Sequence, residues 1–410
     1  MVGSRSLPFN LFEVFHAAEV EEAELAHVLL SHFQTATQIN LRETTYPGHQ
    51  TDYALKLTYG KKSELIQIAP GPRLSDRDVA TIQRRVENEL LTSTGTQVGR
   101  EVFFAHMPVK GYFRYRDRFQ IRPMSDGSPQ PDSPDAEHPF LLEYQFPTST
   151  SSMIQHMRRR VRARELHLVL AGLLEGSIRW LDGTFRHHWV LLPPPPEDEW
   201  MWKTAYRQEM YIWSQTDPDA NNFSSTDHLP RLTEVDPQTY YTRSGIGPDV
   251  MVPSSFETLL DRYYVLAKPD RERFLRACYW FQHSWIVHSY SRSASFTALM
   301  CAVEALILPE TGAALCPTCR RPQNKGPTRL FAEFVDRFAP GDSISKADRR
   351  QFYKIRSRLS HGGGLLSSDM EWFRPLHRAA EEWGNSYAAW HLVRTVLVNW
   401  LQAQQPAHGS

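Results

Sequence analysis

The stretch that decides the fold of the C-terminal part reads Phe352-Tyr353-Lys354-Ile355-Arg356-Ser357-Arg358-Leu359-Ser360-His361-Gly362. Phe352, Ile355 and Leu359 recur at the spacing that brings side chains to one face of an α-helix, so the pattern predicts a helix packed against a core. Arg356 lies on the same stripe. Three consecutive glycines, residues 362 to 364, predict that the helix ends there.

Arg356 and His361 carry the chemistry of this stretch. A guanidinium holds a phosphate through two parallel hydrogen bonds, and an imidazole transfers protons near neutral pH. Metal-free RNA cleavage by the 2′-hydroxyl needs an acid, a base and a group that stabilises the charged transition state, and these side chains supply such groups. The expected products are a 2′,3′-cyclic phosphate and a 5′-hydroxyl. The spacing by itself is a weak signal, because Arg162 and His167 repeat it within a run of arginines.

Outward from this stretch, the chain after Pro253 shows only helical patterns. Six helices are predicted, the second opened by Pro269 and the third ended by Pro309. They cover residues 254–267, 269–290, 293–308, 328–338, 346–360 and 370–402. Short connections between them are typical of a helical bundle, so residues 254–402 are predicted to form an all-α domain, with 403–410 as a tail.

Glu304 is the acidic exception on the third predicted helix. It follows Val303 within an otherwise apolar stripe that also contains Met300, where an unpaired carboxylate would be unfavourable. We predict that a cation such as Arg356 neutralises it, and that Glu304 orients the arginine rather than acting as the base. Ser357, next to Arg356, is a predicted phosphate contact.

Residues 1–250 mix strand and helix patterns and predict an α+β region, with a domain boundary within the polar residues 215–253. A helical pattern covers residues 19–33, 79–91, 152–180 and 200–213, whereas strand patterns cover 53–59, 64–68, 101–104, 111–115, 119–122, 140–146 and 189–192. Residues 123–139 are predicted to form an exposed loop. We interpret this region as a sensor or recognition region.

Two segments carry the family resemblance: residues 296–307, which include Glu304, and residues 352–362, which include Arg356 and His361. Together they resemble the HEPN superfamily, specifically its ApeA-like branch, over residues 255–402. The resemblance implies an all-α bundle that dimerises, so that two Arg-x4-6-His motifs share one cleft. It also implies a metal-independent endoribonuclease with Arg356 and His361 as catalytic pair, acting on host RNA or tRNA in bacterial defence against phage. A phage-derived trigger at the N-terminal region would fit that role.

Charge and cysteine content limit the partners. The 410-residue chain has zero formal net charge, so any RNA contact is expected at a confined site rather than over a broad basic surface. The four cysteines, Cys278, Cys301, Cys316 and Cys319, are too few for a secreted disulfide framework, and no apolar run reaches a membrane span. We therefore predict a cytoplasmic protein that needs no cofactor for catalysis and has no membrane partner.

Cys316-Pro317-Thr318-Cys319 is half of a zinc site, since two thiolates separated by two residues can bind one Zn²⁺. The other ligands would be Cys301, Cys278, a histidine or the same pair of a second protomer. The alternative is that these cysteines are reduced and unmetallated in a surface loop. If zinc is bound, we expect it to be structural rather than catalytic.

Alternatives to the ribonuclease interpretation remain open. His361 and Gly362 fit a helix C-terminus, where the histidine would interact with the last carbonyls and Arg356 would pair with a core carboxylate. The bundle would then be a non-catalytic module for dimerisation or RNA binding, with an N-terminal domain that senses a partner or ligand. Arg158 to Arg164 and the aromatic cluster from Trp200 to Trp213 are further candidates for RNA contact, but we favour a solvated helix face for the arginines and core or interface packing for the aromatic residues.

Overall fold

The structure is a computed structural model of the 410-residue chain. It describes residues 24–25, 27–28, 37–40, 43–47, 53–60, 65–70, 75–91, 95–124, 137–174, 178–180, 189–192, 203–206, 221–242, 247–308, 325–340, 346–370 and 376–404.

The chain divides into two compact units. The first comprises Met1–Gly99, Gln145–Arg162 and Asp219–Asn222, and the second comprises Arg100–Tyr144, Ala163–Pro218 and Phe223–Ser410. The predicted domain boundary within residues 215–253 stays a prediction. In the division into compact units, the strands of residues 100–144 belong to the same unit as the helical C-terminal region.

The first unit contains a four-stranded antiparallel sheet and a helix. The strands are β1 (Thr37–Asn40), β2 (Glu43–Pro47), β3 (Tyr53–Tyr59) and β4 (Leu65–Pro70), in that spatial order. Helix α1 (Asp76–Val86) continues into a π-helical turn, Glu87–Leu91. Alternate residues of β3, Leu55 and Leu57, face the same way and are buried with side chains of α1, as expected for a sheet covered on one face.

Arg158 is a buried structural residue of this unit. It lies on α2 (Ser152–Leu173) and donates hydrogen bonds to the Glu24 carboxylate and to the backbone carbonyls of Leu90 and Thr148. Its side chain is 11% exposed and that of Glu24 is 7% exposed. Arg158, the first arginine of the run from residue 158 to residue 164, therefore has a structural role, because a buried charge is stable only when it is paired.

A five-stranded sheet, most of which belongs to the second unit, has the order β6-β7-β8-β5-β9. Its strands are β5 (Thr96–Ala105), β6 (Phe113–Tyr115), β7 (Phe119–Pro123), β8 (His138–Pro147) and β9 (Arg179–Trp180). β6 is an edge strand, and the segment around Arg231 covers that edge through hydrogen bonds of Tyr112 with Pro230 and Leu232. Gly111 permits this contact, because a Cβ there would lie 2.6 Å from the Pro230 carbonyl oxygen.

Glu143 is fully buried in this sheet, and its carboxylate is well supplied with donors. It accepts hydrogen bonds from the Arg100 guanidinium, the Gln120 amide and both the backbone N–H and hydroxyl of Ser224. These contacts fix the loop that contains Ser224 against the sheet. The carboxylate is thus satisfied within the fold.

Short elements join the sheet to the helices of the second unit. They are β10 (Trp189–Leu192), β11 (Lys203–Tyr206), β12 (Glu234–Val235), β13 (Val252–Pro253) and α3 (Pro237–Thr242). The described residues after Pro253 form helices without strands, which confirms the predicted helical character of the C-terminal region.

The helices are α4 (Phe256–Tyr264), α5 (Lys268–His288), α6 (Arg292–Glu304), α7 (Pro327–Phe338), α8 (Lys346–Ser360), α9 (Ser367–Met370) and α10 (Leu376–Ala403). Aromatic contacts hold α10 against α5: Trp400 stacks on Phe274, and Trp390 packs on Phe281 and Trp285. Helix α6 contacts α5, α8 and α10. It therefore forms a common partner for the helix that contains Arg356.

Two predicted helices are wrong in part. The helix predicted over residues 152–180 ends at Leu173, and Trp180 instead pairs with Phe103 of β5 and stacks on its ring. Lys203–Tyr206, within the predicted helix 200–213, is strand β11, whose Tyr206 pairs with Trp189. In both places a cross-strand aromatic partner, which a local helical pattern cannot reveal, decides the conformation.

Other predicted elements lie partly outside the described residues. Of the predicted helix 19–33, the described residues 24–25 and 27–28 are helical. β7 and β8 flank the predicted loop 123–139 as expected, while residues 125–136 lie outside the description. None of the helices in the described part of the chain has the combination of length and hydropathy that would span a membrane.

Candidate functional site

Helix α8 presents one apolar face to the core and places Arg356 beside it. Phe352 is fully buried and packs edge-on against Phe296 of α6, with ring centroids 5.8 Å apart. Tyr353 packs against Phe331 of α7, with centroids 5.2 Å apart. These contacts hold α8 between α6 and α7, in agreement with the predicted helix that packs against a core.

Arg356 and Glu304 form the central polar contact of the candidate site. The Arg356 Nη2 lies 2.8 Å from the Glu304 Oε2, and the two side chains are 23% and 28% exposed. The predicted pairing is confirmed. Because the contact uses one edge of the guanidinium, Glu304 can set the direction of the arginine without enclosing it. The Arg356 Nε is buried and has no hydrogen-bond partner among the described residues.

His361 lies at the end of the same helix, and its side chain is exposed. Its backbone N–H donates to the Ser357 carbonyl at 3.1 Å, so His361 continues the helical hydrogen bonding by one residue. Within the described residues its imidazole makes no hydrogen bond or ion pair. The ring therefore faces solvent next to the helix terminus.

Glycine ends the helix by a specific hydrogen-bonding pattern. Gly362 has φ +70°, its N–H donates to the Leu359 carbonyl, and the Gly363 N–H donates to the Arg358 carbonyl. This is the Schellman arrangement, in which a left-handed residue at the first position beyond the helix satisfies the last carbonyls. The prediction that the glycines end the helix is confirmed. This geometry explains Gly362, and it involves the backbone of His361 and not its imidazole.

Two further polar side chains, Cys301 and Tyr353, lie near the ion pair, and sequence reasoning did not assign them to this site. Burial, followed by the charge of Glu304, raises the pKa of both groups, while Arg356 opposes the shift. Cys301 lies three residues before Glu304, and Tyr353 lies three residues before Arg356. This i, i+3 spacing was the sequence feature that could have placed both side chains near the ion pair. Ser357 is partly exposed on the side of α8 that contains Tyr353 and His361.

The chain that follows the glycines is tied to the start of α6. The Asp369 carboxylate accepts hydrogen bonds from the backbone N–H groups of Arg292 and Ser293 and from the Ser291 hydroxyl, each at 2.8 Å. On the other side, Glu382 accepts from the backbone N–H groups of Ser367 and Ser368. The segment from His361 to Leu365 thus leads from the end of α8 to α9, which these hydrogen bonds fix to α6 and α10.

The second Arg-x4-His match differs from the first in the state of its histidine. His167 is 7% exposed, and its Nε2 lies 3.0 Å from the Ile178 carbonyl oxygen and 2.6 Å from the Gln282 side-chain nitrogen. Its ring also packs edge-on against Phe103 and Trp180. His167 is a core residue, whereas His361 is exposed.

The proposed zinc ligands Cys316 and Cys319 lie outside the described residues. Of the other cysteines considered as ligands, Cys278 is fully buried against Gly172, and burial raises its pKa. Cys301 is half-buried beside Glu304 and free of a disulfide. In the described part of the chain, no cluster of three or more histidine, cysteine or carboxylate side chains could bind a metal ion.

Comparison with known proteins adds no assignment: no family model matches the chain, and no curated protein or solved structure is similar to it.

Proposed function

We propose that this protein is a metal-independent endoribonuclease of the HEPN type in which Arg356 and His361 act on the RNA. One observation carries the proposal. The Arg356 guanidinium is held by Glu304 at 2.8 Å, and an exposed histidine, His361, follows five residues later at the end of the same helix. An oriented, permanently charged fork and a solvent-accessible imidazole are the groups that transesterification of RNA requires.

The proposed roles follow from the chemistry of each side chain. The 2′-hydroxyl attacks the adjacent phosphorus, its proton is taken by a base, and the departing 5′-oxygen receives a proton. His361 serves in proton transfer, and Arg356 stabilises the negative charge of the transition state. Glu304 orients Arg356, and Ser357 contacts the phosphate. Since one chain supplies one such histidine, we propose a homodimer whose shared cleft contains both the acid and the base.

The proposal is tested by incubating purified protein with labelled tRNA and total RNA in EDTA. The wild type should release 2′,3′-cyclic phosphate and 5′-hydroxyl ends, and both His361→Ala and Arg356→Ala should lose at least about 100-fold in rate. Arg358→Ala is the matched control, because Arg358 is an exposed arginine on the same helix and should retain full activity. Equal cleavage by wild type and the two site variants would refute the assignment.

The wider role rests on the resemblance of residues 255–402 to ApeA-like HEPN domains. We propose that the protein acts in the bacterial cytoplasm against phage and that the N-terminal region receives the trigger. Binding of RNA without cleavage would favour the alternative, a non-catalytic dimerisation or RNA-binding module. The zinc hypothesis for Cys316 and Cys319 is decided separately, by elemental analysis of wild type and the double serine variant.

A further inference from the structure

Tyr353 is a buried tyrosine whose hydroxyl has no protein partner in the described part of the chain. Its side chain is 9% exposed and packs against Phe331. Most of the other buried tyrosine hydroxyls are bonded: Tyr240 donates to the Met251 carbonyl, Tyr241 to the Leu173 carbonyl and Tyr263 to Glu165. The Tyr353 hydroxyl oxygen is not among the fully buried unpaired atoms of the described residues, so it keeps contact with solvent and is open to an acceptor from outside the protein.

The position of Tyr353 places that hydroxyl beside the proposed phosphate-binding group. Tyr353 and Arg356 are three residues apart on α8, and the guanidinium carbon lies 5.9 Å from the centre of the tyrosine ring. Tyr353, Ser357 and His361 also follow one another at four-residue spacing, so they lie along one side of the helix with Arg356 next to them.

We infer that the Tyr353 hydroxyl donates a hydrogen bond to the RNA backbone phosphate bound by Arg356, and that Tyr353 is a substrate-binding residue of the site. This inference rests on the proposed function, because it takes RNA as the ligand. A phosphate oxygen is the acceptor that a neutral hydroxyl and a guanidinium can share. Burial and the neighbouring Glu304 raise the pKa of Tyr353, so the hydroxyl keeps its proton and acts as a donor at neutral pH.

The inference is tested with Tyr353→Phe, which removes the hydroxyl and keeps the ring contacts with Phe331 and Arg356. RNA binding is measured in a His361→Ala background, where cleavage does not interfere. Loss of one hydrogen bond to a charged group should weaken binding about tenfold. In the cleavage assay, Tyr353→Phe should raise KM. The control is Tyr290→Phe, because Tyr290 is 86% exposed and lies before the N-terminus of α6, at the end opposite Glu304.

Two readouts separate substrate binding from a structural role. The slope of binding against salt concentration should stay unchanged in Tyr353→Phe and fall in Arg356→Ala, since only the arginine displaces a counterion. Tyrosine ring resonances of the His361→Ala protein should shift for Tyr353, and not for Tyr290, when RNA is added. The second readout needs no substitution at Tyr353 and stands even if Tyr353→Phe folds poorly.

The outcomes distinguish this inference from the proposed function. Unchanged affinity and an unshifted Tyr353 resonance, with active wild type, would overturn the role of Tyr353 alone. If the wild type binds RNA without cleaving it, and Tyr353→Phe weakens that binding, the proposed nuclease activity is refuted and the contact of Tyr353 with RNA is supported. A protein that neither binds nor cleaves RNA would overturn both.

Discussion

Arg356 donates a hydrogen bond to Glu304, which precedes it by 52 residues, at 2.8 Å. The contact joins α8 to the C-terminal end of α6, and both side chains are partly exposed. It therefore has two consequences that can be measured separately. We expect it to contribute to the stability of the helical region and to direct the guanidinium.

The stability contribution is measured by a double-mutant cycle of Glu304→Ala and Arg356→Ala. Because both groups are partly solvated, we expect a coupling free energy of about 1 kcal/mol from denaturant unfolding. If the two substitutions are additive, the pair contributes nothing to folding, and the contact has only its orienting role.

The orienting role is tested by Glu304→Gln, which removes the charge and keeps the shape. We expect RNA cleavage to fall by about 10- to 100-fold, because a displaced catalytic group loses its alignment with the reacting phosphate. The loss should be smaller than for Arg356→Ala in the same assay. A larger loss would indicate that Glu304 takes part in the chemistry, contrary to the role assigned here.

Asp369 should stabilise the protein through the N-terminus of α6. Asp369→Ala removes three hydrogen bonds to that terminus and should lower the free energy of unfolding by about 1–2 kcal/mol. Asp117→Ala is the control, since the Asp117 side chain is 83% exposed and should change stability little. A similar loss of unfolding free energy in both variants would count against a stabilising role of the Asp369 hydrogen bonds.

This contribution should depend on pH. Burial raises the pKa of Asp369, but hydrogen bonds from Ser293, Ser291 and Arg292 outweigh it and hold the pKa below its ordinary value. A lowered pKa in the folded state stabilises the protein above the unfolded value, about 3.9, and that stabilisation is lost as the pH falls through the folded pKa. The stability difference between wild type and Asp369→Asn should therefore be constant near neutral pH and shrink below about pH 4.

Glycine substitutions at the end of α8 and within α10 should have opposite signs. Gly362→Ala forces an alanine to φ +70° and should destabilise by about 1 kcal/mol. At Gly384, inside α10, an added Cβ meets nothing within 4 Å, so Gly384→Ala should stabilise by about 0.5–1 kcal/mol. Thermal unfolding of both variants provides the comparison, and a shared sign would contradict the helix-terminus geometry.

Gly172 should be required by the packing of Cys278. A Cβ at residue 172 would collide with the Cys278 Sγ and lie 3.2 Å from its Cβ. Gly172→Ala should therefore cost about 1–3 kcal/mol of stability. Cys278→Ala should relieve much of that cost, so the double variant should be more stable than the sum of the single losses predicts. Strict additivity would show that the two residues are not in contact.

Some contacts of the candidate site could be predicted from the sequence and others could not. The Glu304 to Arg356 pair was predictable, because a carboxylate within an apolar helical stripe needs a cation. The unbonded Tyr353 hydroxyl and the Asp369 contacts with α6 were not, because nothing in the local sequence shows which polar groups find a partner. The second Arg-x4-His match was set apart in the sequence by the arginine run around Arg162, whereas the burial of His167 is visible only in the structure.

By itself, the sequence determined the local features of this protein: the helical run after Pro253, the end of α8 at Gly362, and a carboxylate at Glu304 that required a cation. Periodicity and backbone conformational preference act over a few residues, so one sequence is enough to predict them. Only the tertiary structure decided that Trp180 joins a strand, that Arg158 is a buried structural residue and that the Tyr353 ring packs against Phe331. Those outcomes depend on partners far apart in the chain, whose proximity is set by packing.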